Sequence, residues 1–155
     1  MAVKTAAQLT VAHITRVKSL LTDFAGDLIL RGKNHDASKF TPIEAVPLQA
    51  MQDMIDKEGP APYGTDEYRR RTALLGPMLE HHYANNSHHP EHYPDGIAGM
   101  DLLDLVEMFH DWKAASERGG DDAMNISYCV EKYGIPPMLA SIFRNTADRK
   151  GWGHK

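Results

Sequence analysis

The chain predicts an all-α fold, a single compact bundle of about six helices. Three observations carry this. No segment alternates polar and apolar residues, with β-branched enrichment, for long enough to make a sheet. Apolar residues recur instead at three- and four-residue spacing in several stretches. Threonine, proline and glycine fall where helices start and stop. With 155 residues, 42% of them hydrophobic, the chain suits one domain with a real core. No internal repeat and no linker composition interrupts it, so residues 1–155 read as one domain with its core at about 6–147.

The first helix is expected from about residue 6 to 31, where Leu9, His13, Val17, Leu20, Phe24 and Leu28 form one stripe to be buried and Gly32 is the stop. Thr41-Pro42-Ile43-Glu44 then reads as a capping box with proline in the first turn, starting a helix from Pro42 to about Lys57, with a distortion at Pro47. A loop follows from Gly59 to Gly64. Thr65 caps a third helix to about Ala84, kinked at Gly76-Pro77. Residues 85–99 are irregular. Met100 to about Arg118 forms a strong helix, apolar through Leu102, Leu105, Val106, Phe109 and Trp112, ended by Gly119-Gly120. On its remaining side Asp104, Glu107 and Asp111 stack at i, i+3 and i+7. Two shorter helices, about 122–133 and 137–147, flank Gly134-Ile135-Pro136-Pro137, and the last residues read as a loose tail.

Composition narrows the function. A formal net charge of −4 argues against an extended nucleic-acid partner, which needs a basic face, but leaves small anionic substrates open. One cysteine, Cys129, excludes an internal disulfide framework and suits a reducing compartment. The apolar run Leu28-Ile29-Leu30 is too short for a membrane span, so the expected setting is the cytoplasm.

The histidines narrow it further. Five of the nine lie between His81 and His92, and His35-Asp36 forms a pair upstream. No packed core needs so many imidazoles, whereas neutral imidazole is the commonest metal ligand and carboxylates complete such sites. His13 inside an apolar stripe and acidic groups on an otherwise apolar helix point the same way, because a metal offsets the cost of burying a carboxylate. The expectation is a metal centre with more than one ion.

The order His…His-Asp…Asp on helices resembles the HD-domain metal-dependent phosphohydrolase superfamily. His35-Asp36-Ala37-Ser38-Lys39 is similar to its His-Asp-x-x-Lys motif, and His88-His89-Pro90-Glu91-His92-Tyr93-Pro94-Asp95-Gly96 to the double-histidine and Gly-Tyr-Pro region of the HD-GYP subgroup. Met108-Phe109-His110-Asp111 resembles the segment holding the last aspartate. The likeness spans about 13–115 and extends to small uncharacterised phage proteins with the same His-His-Pro-Glu-His and Asp-Trp-Lys-Ala-Ala strings.

The resemblance implies His13, His35, Asp36 and Asp111 as ligands, with Asp36 bridging. It implies His88 and His89 for a second ion, together with His82 or His81. His82 is preferred because it shares the face of Leu75 and Met78. Asp104 faces the same side as Asp111, and spacing leaves the two open. Lys39 is implied near the leaving oxygen; Arg16, three residues after His13 on the same expected helix, is placed by that spacing to reach a phosphate. Glu107 either orients a ligand histidine or makes a salt bridge.

The expected activity is hydrolysis of a nucleotide phosphoester (a monophosphate, triphosphate or cyclic nucleotide) using about two divalent transition ions, Mn, Fe, Co, Ni or Zn. No membrane partner is expected, and an oligomer is left open. The alternatives are a mixed-valent di-iron oxygenase of HD type and a non-enzymatic metal-stabilised binding module.

Overall fold

The computed structural model of the chain describes residues 4–62, 65–118 and 123–155. The expected terminator Gly119-Gly120, the end of the 59–64 loop and the start of a helix at about 122 lie outside them. The fold is all-α. Among the described residues it has seven α-helices, three short 3₁₀ segments and no strand. The contacts fall into two units, Met1–His35 and Asp36–Lys155.

The first unit is one helix, α1 (Ala6–Asn34). Thr5 caps it reciprocally, its hydroxyl accepting from Gln8 N while Thr5 N donates to Gln8 Oε1 at 2.9 Å. The expected stop at Gly32 is corrected, since α1 runs two residues beyond it. Glycine ends a helix by turning left-handed. Gly32 stays helical, and the left-handed residue is Asp36, with φ 55°. The buried stripe is corrected too. α1 buries none of its residues; Phe24 and Leu28 are half-buried, while Leu9, His13, Val17 and Leu20 are exposed. A stripe is buried only against another element, and this unit holds a single helix.

The second unit begins with a 3₁₀ turn at Ala37–Phe40 and continues into α2 (Pro42–Glu58), which carries Pro47 within it. The expected single third helix is two. α3 (Asp66–Ala73) is capped by the Thr65 hydroxyl accepting from Tyr68 N, and α4 (Gly76–Asn85) starts on the glycine before Pro77. Pro77 lacks an N–H and its ring excludes the carbonyl four residues back, at Ala73, where α3 ends. Short 3₁₀ turns at Pro90–His92 and Gly96–Gly99 lead to α5 (Leu102–Arg118). α6 (Ile126–Tyr133) is capped by Asn125 and closed by left-handed Gly134, and α7 (Pro137–Lys150) is closed by left-handed Gly151.

The core lies among α5, α6 and α7. Met108, Phe109, Met124, Ile126, Ile135, Ala140, Phe143 and Ala147 are buried together, with Phe109 stacked on Phe143 at 5.1 Å. The C-terminal residues, expected to be loose, are tied to it. Met124 N donates to Gly153 O at 2.8 Å, Lys155 N donates to Met124 O at 2.9 Å, and Trp152 packs at 5.8 Å from Phe109. On the other side of the unit, α2 packs on α4 and on the 37–40 turn, which brings the upstream aspartate to the histidine cluster. No helix among the described residues is long and apolar enough to cross a membrane.

Candidate metal centre

Asp36, His82, His88 and His89 each offer one ligand atom, and the four atoms lie within 4.8 Å of one another. Asp36 Oδ1 is 3.3 Å from His82 Nε2 and 3.5 Å from His88 Nε2. His82 Nε2 is 2.9 Å from His89 Nε2. Three imidazoles with one carboxylate form a donor set that suits Mn, Fe, Co, Ni or Zn. His82 and His88 are buried, and Asp36 and His89 are half-buried. Burial, then the neighbouring His88 and His82, push the His89 pKa down to about 3, against the pull of Asp111 and Asp36. His89 therefore stays a neutral imidazole with a lone pair at any ordinary pH.

Local sequence explains how each donor is delivered. Asp36 takes the left-handed conformation, which aspartate and asparagine tolerate better than other side chains. Directly after it comes the 37–40 segment, whose Lys39 Nζ forms an ion pair with Asp36 Oδ2. His82 sits on α4, freed from α3 by the Gly76-Pro77 break. His88 and His89 come two and three residues after Asn86, which is buried and donates to both Ser38 Oγ and His82 O at 2.7 Å. Ser38 and Asn86 thereby pin the Asp36 turn to α4.

Of the expected ligands, the structure brings together Asp36, His82, His88 and His89. His81 shares the dipeptide but not the cluster; its Nδ1 bonds Glu44 Oε1 at 2.7 Å. Asp111 is half-buried on α5, close enough for its charge to act on His89. Asp104 has a different job. It is 1% exposed, accepts from Ser87 Oγ at 2.7 Å, Tyr93 Oη at 2.6 Å and Asp101 N at 3.1 Å, and so fastens the 87–93 loop to the start of α5. His13 and Arg16 are exposed on α1, and His35 is the C-cap of that helix, all three in the first unit. His92 Nδ1 donates to Tyr83 O, and His110 is exposed.

Sequence reasoning missed Glu44, Ser38 and Asn86. Glu44 is fully buried, with His82 Nδ1 at 2.8 Å from its Oε2 as well as His81 on Oε1. Burial raises its pKa, but hydrogen bonds from His81, Ser38 and His82 outweigh that and hold the carboxyl below its usual range, hence ionised. Glu107 Oε1 lies 3.1 Å from His88 Nδ1, a contact that both readings open for it share. His82 and His89 also line a cavity of about 670 Å³, together with Lys39, Arg69, Arg118, Lys132 and the tyrosines Tyr68, Tyr83 and Tyr128.

No curated protein and no solved structure matches this chain. A family profile does, along residues 2–149, so the chain belongs to DUF5662, a family of unknown function.

Proposed function

We propose that this protein is a metal-dependent phosphohydrolase that cleaves a phosphoester of a nucleotide. The observation that carries the reading is the convergence of Asp36, His82, His88 and His89 beside a cavity rich in cations and tyrosines. The His35-Asp36-x-x-Lys39 string and its resemblance to the HD superfamily support it.

Asp36, His82, His88 and His89 would hold a divalent ion, with Asp111 and its charge nearby. Such an ion supplies a hydroxide nucleophile at neutral pH and draws charge from a phosphoryl oxygen. The protein's own groups then position and neutralise. Lys39, paired with Asp36 at the cavity wall, has further N–H donors to give to a phosphoryl or leaving oxygen as it gains charge. Arg118 and Lys132 favour an anion in the same cavity. Tyr68, Tyr83 and Tyr128 supply aromatic surface against which a base can pack.

The test is phosphate release from a panel of deoxynucleotides and cyclic nucleotides with Mn²⁺ or Co²⁺ added. Turnover of at least one, abolished by chelation, is the expected result. A metal-loaded protein that hydrolyses none of them overturns the reading. The same imidazole-rich donors suit iron, so the di-iron oxygenase is the alternative. Iron and mild reductant would then give a coupled mixed-valent paramagnetic signal and oxygen uptake.

A further inference from the structure

Glu44 is a carboxylate with no exposed surface whose two oxygens are each taken by the Nδ1 of a different histidine. The hydrogens around it follow by elimination. Asn86 Nδ2 has two, spent on Ser38 Oγ and on His82 O, so neither is left for His82 Nδ1 at 3.2 Å. Ser38 Oγ is a longer contact of His82 Nδ1, at 3.4 Å, whereas the carboxylate oxygen at 2.8 Å can only accept. His82 Nδ1 is therefore the donor to Glu44 Oε2, and the neutral ring carries its lone pair on Nε2. That Nε2 is the atom 3.3 Å from Asp36 Oδ1 and 2.9 Å from His89 Nε2. A parallel arrangement stands on α5, where Glu107 Oε1 meets His88 Nδ1 at 3.1 Å and His88 Nε2 lies 3.5 Å from Asp36.

We infer that Glu44 is a positioning residue of the metal centre. It fixes His82 with its Nδ1 hydrogen on Glu44 and Nε2 bare toward the cluster, while His81 serves as the second donor that keeps the carboxylate aligned. Glu107 does the same for His88. A carboxylate behind a ligand histidine fixes the ring and raises its basicity, and its loss typically lowers metal affinity about 10–100-fold. The inference rests on the metal reading of the cluster.

Glu44→Gln is the discriminating change because it keeps shape and burial. Glutamine has one acceptor oxygen, so it can serve one of the two histidines. The other must meet an amide N–H, which favours a bare Nδ1 and a protonated Nε2. The measurements are Co²⁺ titration and nitrogen NMR of the metal-free protein, which reports the histidine tautomers. The wild type should show His82 bare at Nε2 and bind Co²⁺. Glu44→Gln should keep its helical circular dichroism and bind Co²⁺ about 10–100-fold more weakly, with Glu44→Asp between the two. Wild-type affinity and tautomers in Glu44→Gln would overturn the role of Glu44 alone. Absence of Co²⁺ uptake by the wild type would overturn the metal reading, and this role with it. Should Glu44→Gln not fold, the wild-type spectrum decides, and a His82 protonated at Nε2 refutes the inference.

Discussion

Asp36 joins backbone conformation to chemistry in one residue. Its φ of 55° is the only positive value outside glycine among the described residues, and its Oδ1 faces two histidine Nε2 atoms. Alanine there would disturb the turn as well as remove the ligand, because a β-carbon without a polar group is less at ease in the left-handed region. Asparagine tolerates that region, so Asp36→Asn isolates the charge. We predict that it keeps the far-ultraviolet circular dichroism of the wild type and loses most bound metal by elemental analysis. Unchanged metal content would remove Asp36 from the centre. Lys39→Ala should do the reverse, keeping metal and losing about 10²–10³ in kcat, the scale for removing one donor to a developing oxyanion. Full retained turnover would take Lys39 out of the mechanism. Single residues also mark where sequence stops being legible. The His-Asp pair and the double histidine could be read because they are local strings. Glu44 was hidden by a sound local argument. It stands three residues after Thr41, where a capping box would use it, yet Thr41 bonds Ser38 O and the carboxylate goes to α4. A side chain with a satisfactory local explanation gives no sign that a contact 38 residues away has claimed it.

At the level of elements, starts were more legible than ends or burial. Thr41-Pro42, Thr65 and Pro137 mark helix beginnings that the structure keeps, because caps and first-turn prolines act within a few residues. The stop at Gly32 and the buried stripe of α1 failed because both depend on what the helix meets. The 86–101 connection is the element on which the centre most depends. It carries His88 and His89 and is fastened at its far end by Asp104, through Ser87 and Tyr93. Tyr93 in turn lies over Gly99, where an added β-carbon would come within 2.7 Å of Tyr93 Cβ. That neighbour is next to the backbone and cannot swing aside. We predict that Gly99→Ala destabilises the protein by about 1–3 kcal/mol, the usual cost of forced overpacking, measured by urea unfolding. It should also weaken Co²⁺ binding, since the displaced ring releases Asp104. A Gly99→Ala protein with wild-type stability would show that the ring is not held against this turn.

For the whole molecule, the centre ties together segments that sequence separates: the 36–40 turn, α2, α4, the 86–92 loop and α5. The unfolded chain holds no such preformed site, so a metal that binds here binds the folded state and stabilises it. At a free concentration of about 100 times Kd the gain is roughly 2.7 kcal/mol, or a rise of roughly 5–10 °C in Tm for a chain of this size. Both tryptophans, Trp112 and Trp152, lie in the second unit, which also holds the four clustered donors, so their fluorescence reports the relevant melt. The pH dependence has a definite sign. His89 is lowered from an ordinary 6.5 to about 3. Between those values the unfolded chain binds a proton that the folded chain does not, so stability falls as pH drops from about 6.5 toward 3. The metal-free protein should therefore melt at lower temperature at pH 5 than at pH 7.5. The gain from Co²⁺ or Zn²⁺ should shrink over the same range, because metal binding requires neutral imidazoles. A melt that saturating metal leaves unmoved at pH 7.5 would rule out a resident ion. A gain equal at both pH values would mean that the ion sits on groups other than these histidines.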